Sequence, residues 1–241
     1  MENVLINKLK KIKSEGGFSA VMEFDLKDPR VFVFDLTKNN QDLAKIDLND
    51  ITAFSKYISD NVNESGCYFG IGKYAEDRTI YSKSSLFNGQ AEEEKRTIHL
   101  GIDLWAAPGT KVFAPYEGVV HSFKNNKDDG DYGPTIVLRH EFEGVKFHTL
   151  YGHLSLDSLD GLHYNNRAIA KGEEIARLGN YPVNGNWPPH LHFQIIKDMK
   201  DNVGIDKVGD FFGVTSFKEK DYYLKNSPDP NLILGIEKLG L

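Results

Sequence analysis

The sequence holds one cysteine, Cys67, in 241 residues, so no internal disulfide is possible and the lone thiol reads as a small buried hydrophobe in a reducing setting. Long apolar runs are also missing. Nothing approaches the roughly 20 residues needed to span a bilayer, and Met1 to Lys11 mix apolar with charged positions where a signal peptide would be continuously apolar. The expectation is a cytoplasmic chain with no membrane partner. Positive charge is not in excess either: 29 lysines and arginines face 35 acids, a net charge of −6. No nucleic-acid partner is expected on that balance. Repeats and low-complexity stretches are absent, and so is any His-Glu-x-x-His pattern, which excludes the zinc peptidases whose general base is the glutamate of that helix.

What is present is an ordinary globular composition, 40% hydrophobic and 27% charged, long enough for one generous domain or a catalytic domain with a small companion. The eight histidines are the first informative feature. They fall at 99, 121, 140, 148, 153, 163, 190 and 192, a clustering that chance would give on the order of one time in two thousand. A site in the middle of the chain follows.

Residues 1–65 read as a small α/β unit of unassigned role. Val4 to Glu15 is a basic amphipathic helix ended by Gly16-Gly17, Ser19 to Phe24 and Val31 to Leu36 are strands, and Leu48 to Val62 puts Ile51, Phe54, Ile58 and Val62 on one helical side. Residues 66–241 change to short alternating runs punctuated by glycine, the texture of an antiparallel β-rich domain. Thr79 to Tyr81, Ile98 to Leu104, Val145 to Tyr151 and His190 to Ile196 are among its expected strands. Pro228 and Pro230 imply an extended C-terminal tail. The fold class is α+β, with the β-rich domain following the N-terminal unit.

Within Ile98-His99-Leu100-Gly101-Ile102-Asp103-Leu104 the alternation puts His99 and Asp103 on one strand face. A straight strand would hold their Cα atoms about 13 Å apart, too far for easy chelation of one ion. Joint ligation requires a bend, for which Gly101 is the obvious place. His190-Leu191-His192-Phe193 places two imidazoles about 7 Å apart on one face, close enough for one to hold a metal while the other touches its water. Neither spacing is specific alone, since His153 and Asp157 repeat the first by chance. His121, His140, His148 and His163 match no ligand position and read as surface or sheet-packing residues. Tyr151 reads as a cleft donor or a packing residue, and Asp157 as a turn or cap residue.

Taken in order, these residues resemble the lysostaphin-type zinc metallopeptidases, peptidoglycan endopeptidases, over roughly His99 to Gln194. The resemblance implies a partly open, sandwich- or barrel-like β domain and one zinc ion held by His99, Asp103 and His192. It implies catalytic roles for His190 and for His153, the latter in Tyr151-Gly152-His153-Leu154. Ala107-Pro108-Gly109-Thr110, Gly118-Val119-Val120 and Lys171-Gly172-Glu173 are supporting matches. The implied activity is zinc-dependent hydrolysis of peptide bonds in peptidoglycan cross-bridges or related short peptides. Two histidines and one carboxylate leave an open coordination position, the mark of a catalytic zinc site. A noncatalytic zinc-containing binding or regulatory module of the same fold is the alternative. A lipoyl- or biotinyl-carrier-like domain is a third reading, but no modifiable lysine sits in a recognisable hairpin-tip motif.

Overall fold

The computed structural model describes residues 4–89, 91–162, 167–199, 209 and 211–240. His163 lies outside them. The chain opens with α1 (Val4–Ser14), whose Leu5, Leu9 and Ile12 are spaced to form one buried stripe. The helix α2 (Ile51–Glu64) begins where the Asp50 carboxylate accepts the Thr52 and Ala53 N–H groups, and it buries Phe54, Ile58 and Val62.

The described residues hold twelve strands, the first in the N-terminal segment and the others in the glycine-punctuated runs: β1 (Val31–Val33), β2 (Phe69–Gly72), β3 (Arg96–His99), β4 (Ile102–Trp105), β5 (Lys111–Phe113), β6 (Gly118–Asn126), β7 (Gly133–Phe142), β8 (Val145–Gly152), β9 (Ala168–Ile169), β10 (Glu174–Arg177), β11 (His190–Ile196) and β12 (Val214–Ser216). Eight of them form one sheet in the order β1-β2-β4-β11-β8-β7-β6-β9. Among the described residues only β1 and β2 pair in parallel, and their sheet does not close into a barrel. β5 with β10 and β3 with β12 make two-stranded ribbons. The architecture is the expected β-rich, antiparallel-dominated α+β fold.

Leu191, Phe193 and Ile195 point to a core shared with Ile102, Leu104, Ile136 and Leu138, and with Leu5 and Leu9 of α1. The opposite face carries two separate apolar clusters, one around Phe34, Phe54, Trp105 and Trp187 and one around Tyr132, Val137, Leu150 and Phe211. Polar side chains of β4 and β11 are thus bracketed by apolar walls.

Four expectations need correction. Ser19 to Phe24 makes only the isolated bridge Met22↔Val112, because Val21 and Met22 are consecutive and both enter the core. Regular strand residues alternate between faces, so two neighbours share one core only where the ladder is irregular. For the same reason Thr79 to Tyr81 is no strand: Ile80 and Tyr81 are adjacent, both buried in one cluster, and lie in a 3-10 turn, Ile80–Lys83. Ile98 to Leu104 is two strands rather than one, interrupted at Leu100-Gly101. The tail is not extended. It carries α3 (Lys220–Asn226) and α4 (Asn231–Leu234), Pro230 caps the latter, and its four residues are all buried. No helix among the described residues is long and apolar enough to cross a membrane.

Candidate metal centre

Cross-strand pairing sets the site. Gly72 pairs with Asp103, Asp103 with His192, and His192 with Gly152, so four strands contribute one row to one face of the sheet. The glycines leave room over the sheet on either side of the polar pair. A Cβ on Gly72 would stand 2.5 Å from Arg78 Nη2, and one on Gly152 would stand 2.5 Å from the Tyr132 ring.

His99 reaches the row from β3, across the break that chelation demanded. There the Leu100 N–H is taken by the Gly213 carbonyl at 2.8 Å. A Cβ on Gly101 would lie 2.6 Å from the His192 imidazole, so only glycine lets the chain turn against that ring.

The three side chains converge. His99 Nε2 lies 3.0 Å from His192 Nδ1, and each nitrogen lies 3.2 Å from Asp103 Oδ1. In a tetrahedral zinc site with bonds of roughly 2.0–2.1 Å, donor atoms sit about 3.3 Å apart. The triangle therefore fits a single divalent ion.

Neighbouring groups fix which nitrogens carry protons. His99 Nδ1–H donates to the Lys73 carbonyl at 3.0 Å, which turns the Nε2 lone pair to the centre. Gln194 gives its amide hydrogens to the Phe212 carbonyl and Ser227 Oγ, so its Oε1 must accept the His192 Nε2–H, at 3.0 Å. That leaves His192 Nδ1 as a lone pair. Two nitrogen lone pairs and a carboxylate oxygen thus meet with no proton among them, an arrangement that a cation relieves.

His190 and His153 stand beside this triangle with ring centroids 4.1 Å apart. His190 Nδ1–H donates to the Pro188 carbonyl at 2.6 Å and its Nε2 lies 3.8 Å from Asp103 Oδ1. His153 Nδ1–H donates to the Asn184 carbonyl at 2.8 Å. Each ring therefore keeps Nε2 as its free acceptor. His153 follows directly after β8 in the left-handed region, φ 63°, where a residue other than glycine is strained. The Tyr132 carbonyl holds it there, accepting its N–H at 2.7 Å.

All five side chains are buried, His153 most exposed at 6%. Burial pushes His99 down to about 3 and His190 to about 4, while burial and the neighbouring His190 hold His153 well below its ordinary value. These three imidazoles are neutral at pH 7. Burial alone would raise the Asp103 carboxyl, but the Arg78 guanidinium bound to it reverses that and holds it well below the usual carboxylate range. The centre opens on a cavity of about 190 Å³ walled by Tyr81, Phe87, Trp105, Tyr132, Trp187 and Phe212.

His140 instead packs in the sheet, between the Glu117 carbonyl and Thr149 Oγ1, and His121 and His148 pack against each other. Tyr151 lies in the core against Phe193, away from the cleft. Asp157 sits in the 3-10 turn Leu156–Leu159. Sequence reasoning missed Gln194 and Arg78. The period-2 continuation from His192 to position 194 could have found the glutamine. Arg78, whose Nη1 lies 2.5 Å from Asp103 Oδ2, left no local signal.

Residues 97–204 match the sequence model of Peptidase family M23. An uncharacterized metalloprotease of Haemophilus influenzae is 31% identical over 129 residues, 53% of this chain and 25% of that protein. The chain thus spans about a quarter of the length of that curated relative. Among solved structures, a zinc-containing peptidase from Vibrio cholerae is 25% identical over 41% of this chain and 27% of its own, with a TM-score of 0.31. The catalytic domain of the antimicrobial peptidase lysostaphin from Staphylococcus simulans is 21% identical over 53% of this chain and 80% of its own, with a TM-score of 0.34.

Proposed function

We propose that this chain, whose residues 97–204 belong to peptidase family M23, is a zinc-dependent endopeptidase acting on peptidoglycan cross-bridges or related short peptides. The observation that carries the reading is the triangle of His99 Nε2, Asp103 Oδ1 and His192 Nδ1, whose partners leave three acceptors facing one point. A zinc ion held there would supply the positive charge that polarises a scissile carbonyl and acidifies a water molecule.

The chain's own groups do the rest. Lys73 and Gln194 keep the two ligand imidazoles in the required tautomers. His190 and His153, neutral and with Nε2 free, accept the proton of the attacking water and return one to the departing amide nitrogen. Their backbone acceptors prevent either ring from flipping. The aromatic walls exclude bulk water and bury the substrate's apolar surface.

The test is digestion of a peptide library that includes wall stem and bridge peptides, with mass-spectrometric readout, with and without chelator. Cleavage that chelator abolishes and zinc restores is expected. Zinc retention with no cleavage of any peptide would instead favour a noncatalytic module of this fold.

A further inference from the structure

Arg78 is fully buried, yet it lies outside the family-matched segment and belongs to none of the sequence motifs. Its guanidinium is held on every donor edge. Nε meets Glu76 Oε2 at 3.1 Å, Nη1 meets Asp103 Oδ2 at 2.5 Å and the Tyr81 hydroxyl at 3.3 Å, and Nη2 donates to the Lys73 carbonyl at 3.1 Å. That carbonyl is the one that receives His99 Nδ1–H. One side chain is therefore tied to two of the three converging ligands. Charges alternate outward from the centre as Asp103, Arg78, Glu76 and Lys73, the last contact being 2.9 Å from Lys73 Nζ to Glu76 Oε1.

Neutralisation alone would not require this arrangement, because buried ion pairs are often replaceable by apolar groups at little cost in stability. The arrangement does something more specific. With Oδ2 engaged by Arg78, Asp103 offers the metal position only Oδ1, the atom of the triangle. We propose that Arg78 is a positioning residue of the metal centre: it holds Asp103 to one-oxygen ligation and, through the Lys73 carbonyl, fixes the aim of His99. A lysine could not replace it, since one ammonium does not reach a carboxylate, a second carboxylate and a carbonyl as a planar fork does. The inference rests on the reading of His99, Asp103 and His192 as metal ligands.

The test uses the full chain stripped by chelator and reloaded with zinc or cobalt(II). Zinc affinity is read by competition with a chromophoric chelator, coordination by the cobalt visible spectrum, and folding by circular dichroism. R78M and R78K are expected to bind zinc roughly 10- to 100-fold more weakly than wild type. Their cobalt bands should also be weaker, as Asp103 turns both oxygens to the ion. Folded variants with zinc affinity within about twofold of wild type and an unchanged cobalt spectrum would overturn the proposal, since losing a contact that orients a metal ligand costs at least about tenfold in affinity. If R78M does not fold, R78K decides, because it keeps the buried charge. Wild-type protein that takes up neither metal would remove the ligand reading itself. Wild type that binds one ion beside unaffected variants would remove only Arg78.

Discussion

Asp103 and His192 are direct partners across the β4–β11 ladder, with Oδ1 and Nδ1 3.2 Å apart. Two of the three proposed ligands therefore rest on adjacent hydrogen-bonded strands, and only His99 depends on a turn for its approach. Ligands mounted on a ladder are held more tightly than ligands carried by loops.

His99→Ala or Asp103→Ala should abolish stoichiometric zinc binding, measured by elemental analysis after dialysis. His190→Ala should keep the ion and lose turnover by roughly 10²- to 10⁴-fold, the usual contribution of a positioned acid or base. Equal peptide cleavage by wild type and His190→Ala would sink the catalytic assignment.

Gly152→Ala should destabilise the protein by about 1–3 kcal/mol in urea unfolding, the usual cost of inserting a methyl group into filled space. The new Cβ would fall 2.5 Å from the Tyr132 ring, which lies with its centroid 5.1 Å from that of His192. Zinc affinity should fall as well.

Gln194→Leu removes the acceptor that keeps the proton on His192 Nε2 and strands the hydrogen-bonding groups of Phe212 and Ser227. Zinc binding should weaken roughly 10- to 100-fold in a chelator competition. Retained wild-type affinity would show that the tautomer is set by something else.

Acid should destabilise the fold through His140. Burial lowers its pKa from 6.5 to about 4, so the unfolded chain binds the proton more readily than the native one. The stability associated with the neutral ring is complete above about pH 6.5 and is lost as pH falls toward 4, on the order of 3 kcal/mol over the interval. Urea unfolding of metal-free protein between pH 4.5 and 7 should show a shallower pH slope for His140→Gln than for wild type. Parallel slopes would refute it.

Much of this arrangement could be read from the chain. The apolar spacing of Ile51, Phe54, Ile58 and Val62 marked α2, and the His99 to Asp103 separation required a bend at Gly101, where the strand is indeed interrupted. Pairwise alternation also put Leu191 and Phe193 in the core and both histidines on the other face. Other features depend on tertiary burial and carry no local period. Ile80 with Tyr81, and the run Asn231–Leu234, bury consecutive side chains by curling. Arg78 meets Asp103 across 25 residues, and Ser227 meets Gln194 across 33, distances at which neither spacing nor propensity speaks.

The Lys73 carbonyl and Ser227 both lie outside residues 97–204, yet the first holds the imidazole of His99 and the second, through Gln194, that of His192. A fragment trimmed to the boundaries of family likeness would inherit every histidine of the centre and lose the carbonyl that aims His99 and the hydroxyl that anchors Gln194. The portable unit of this chemistry is larger than the stretch by which it is recognised.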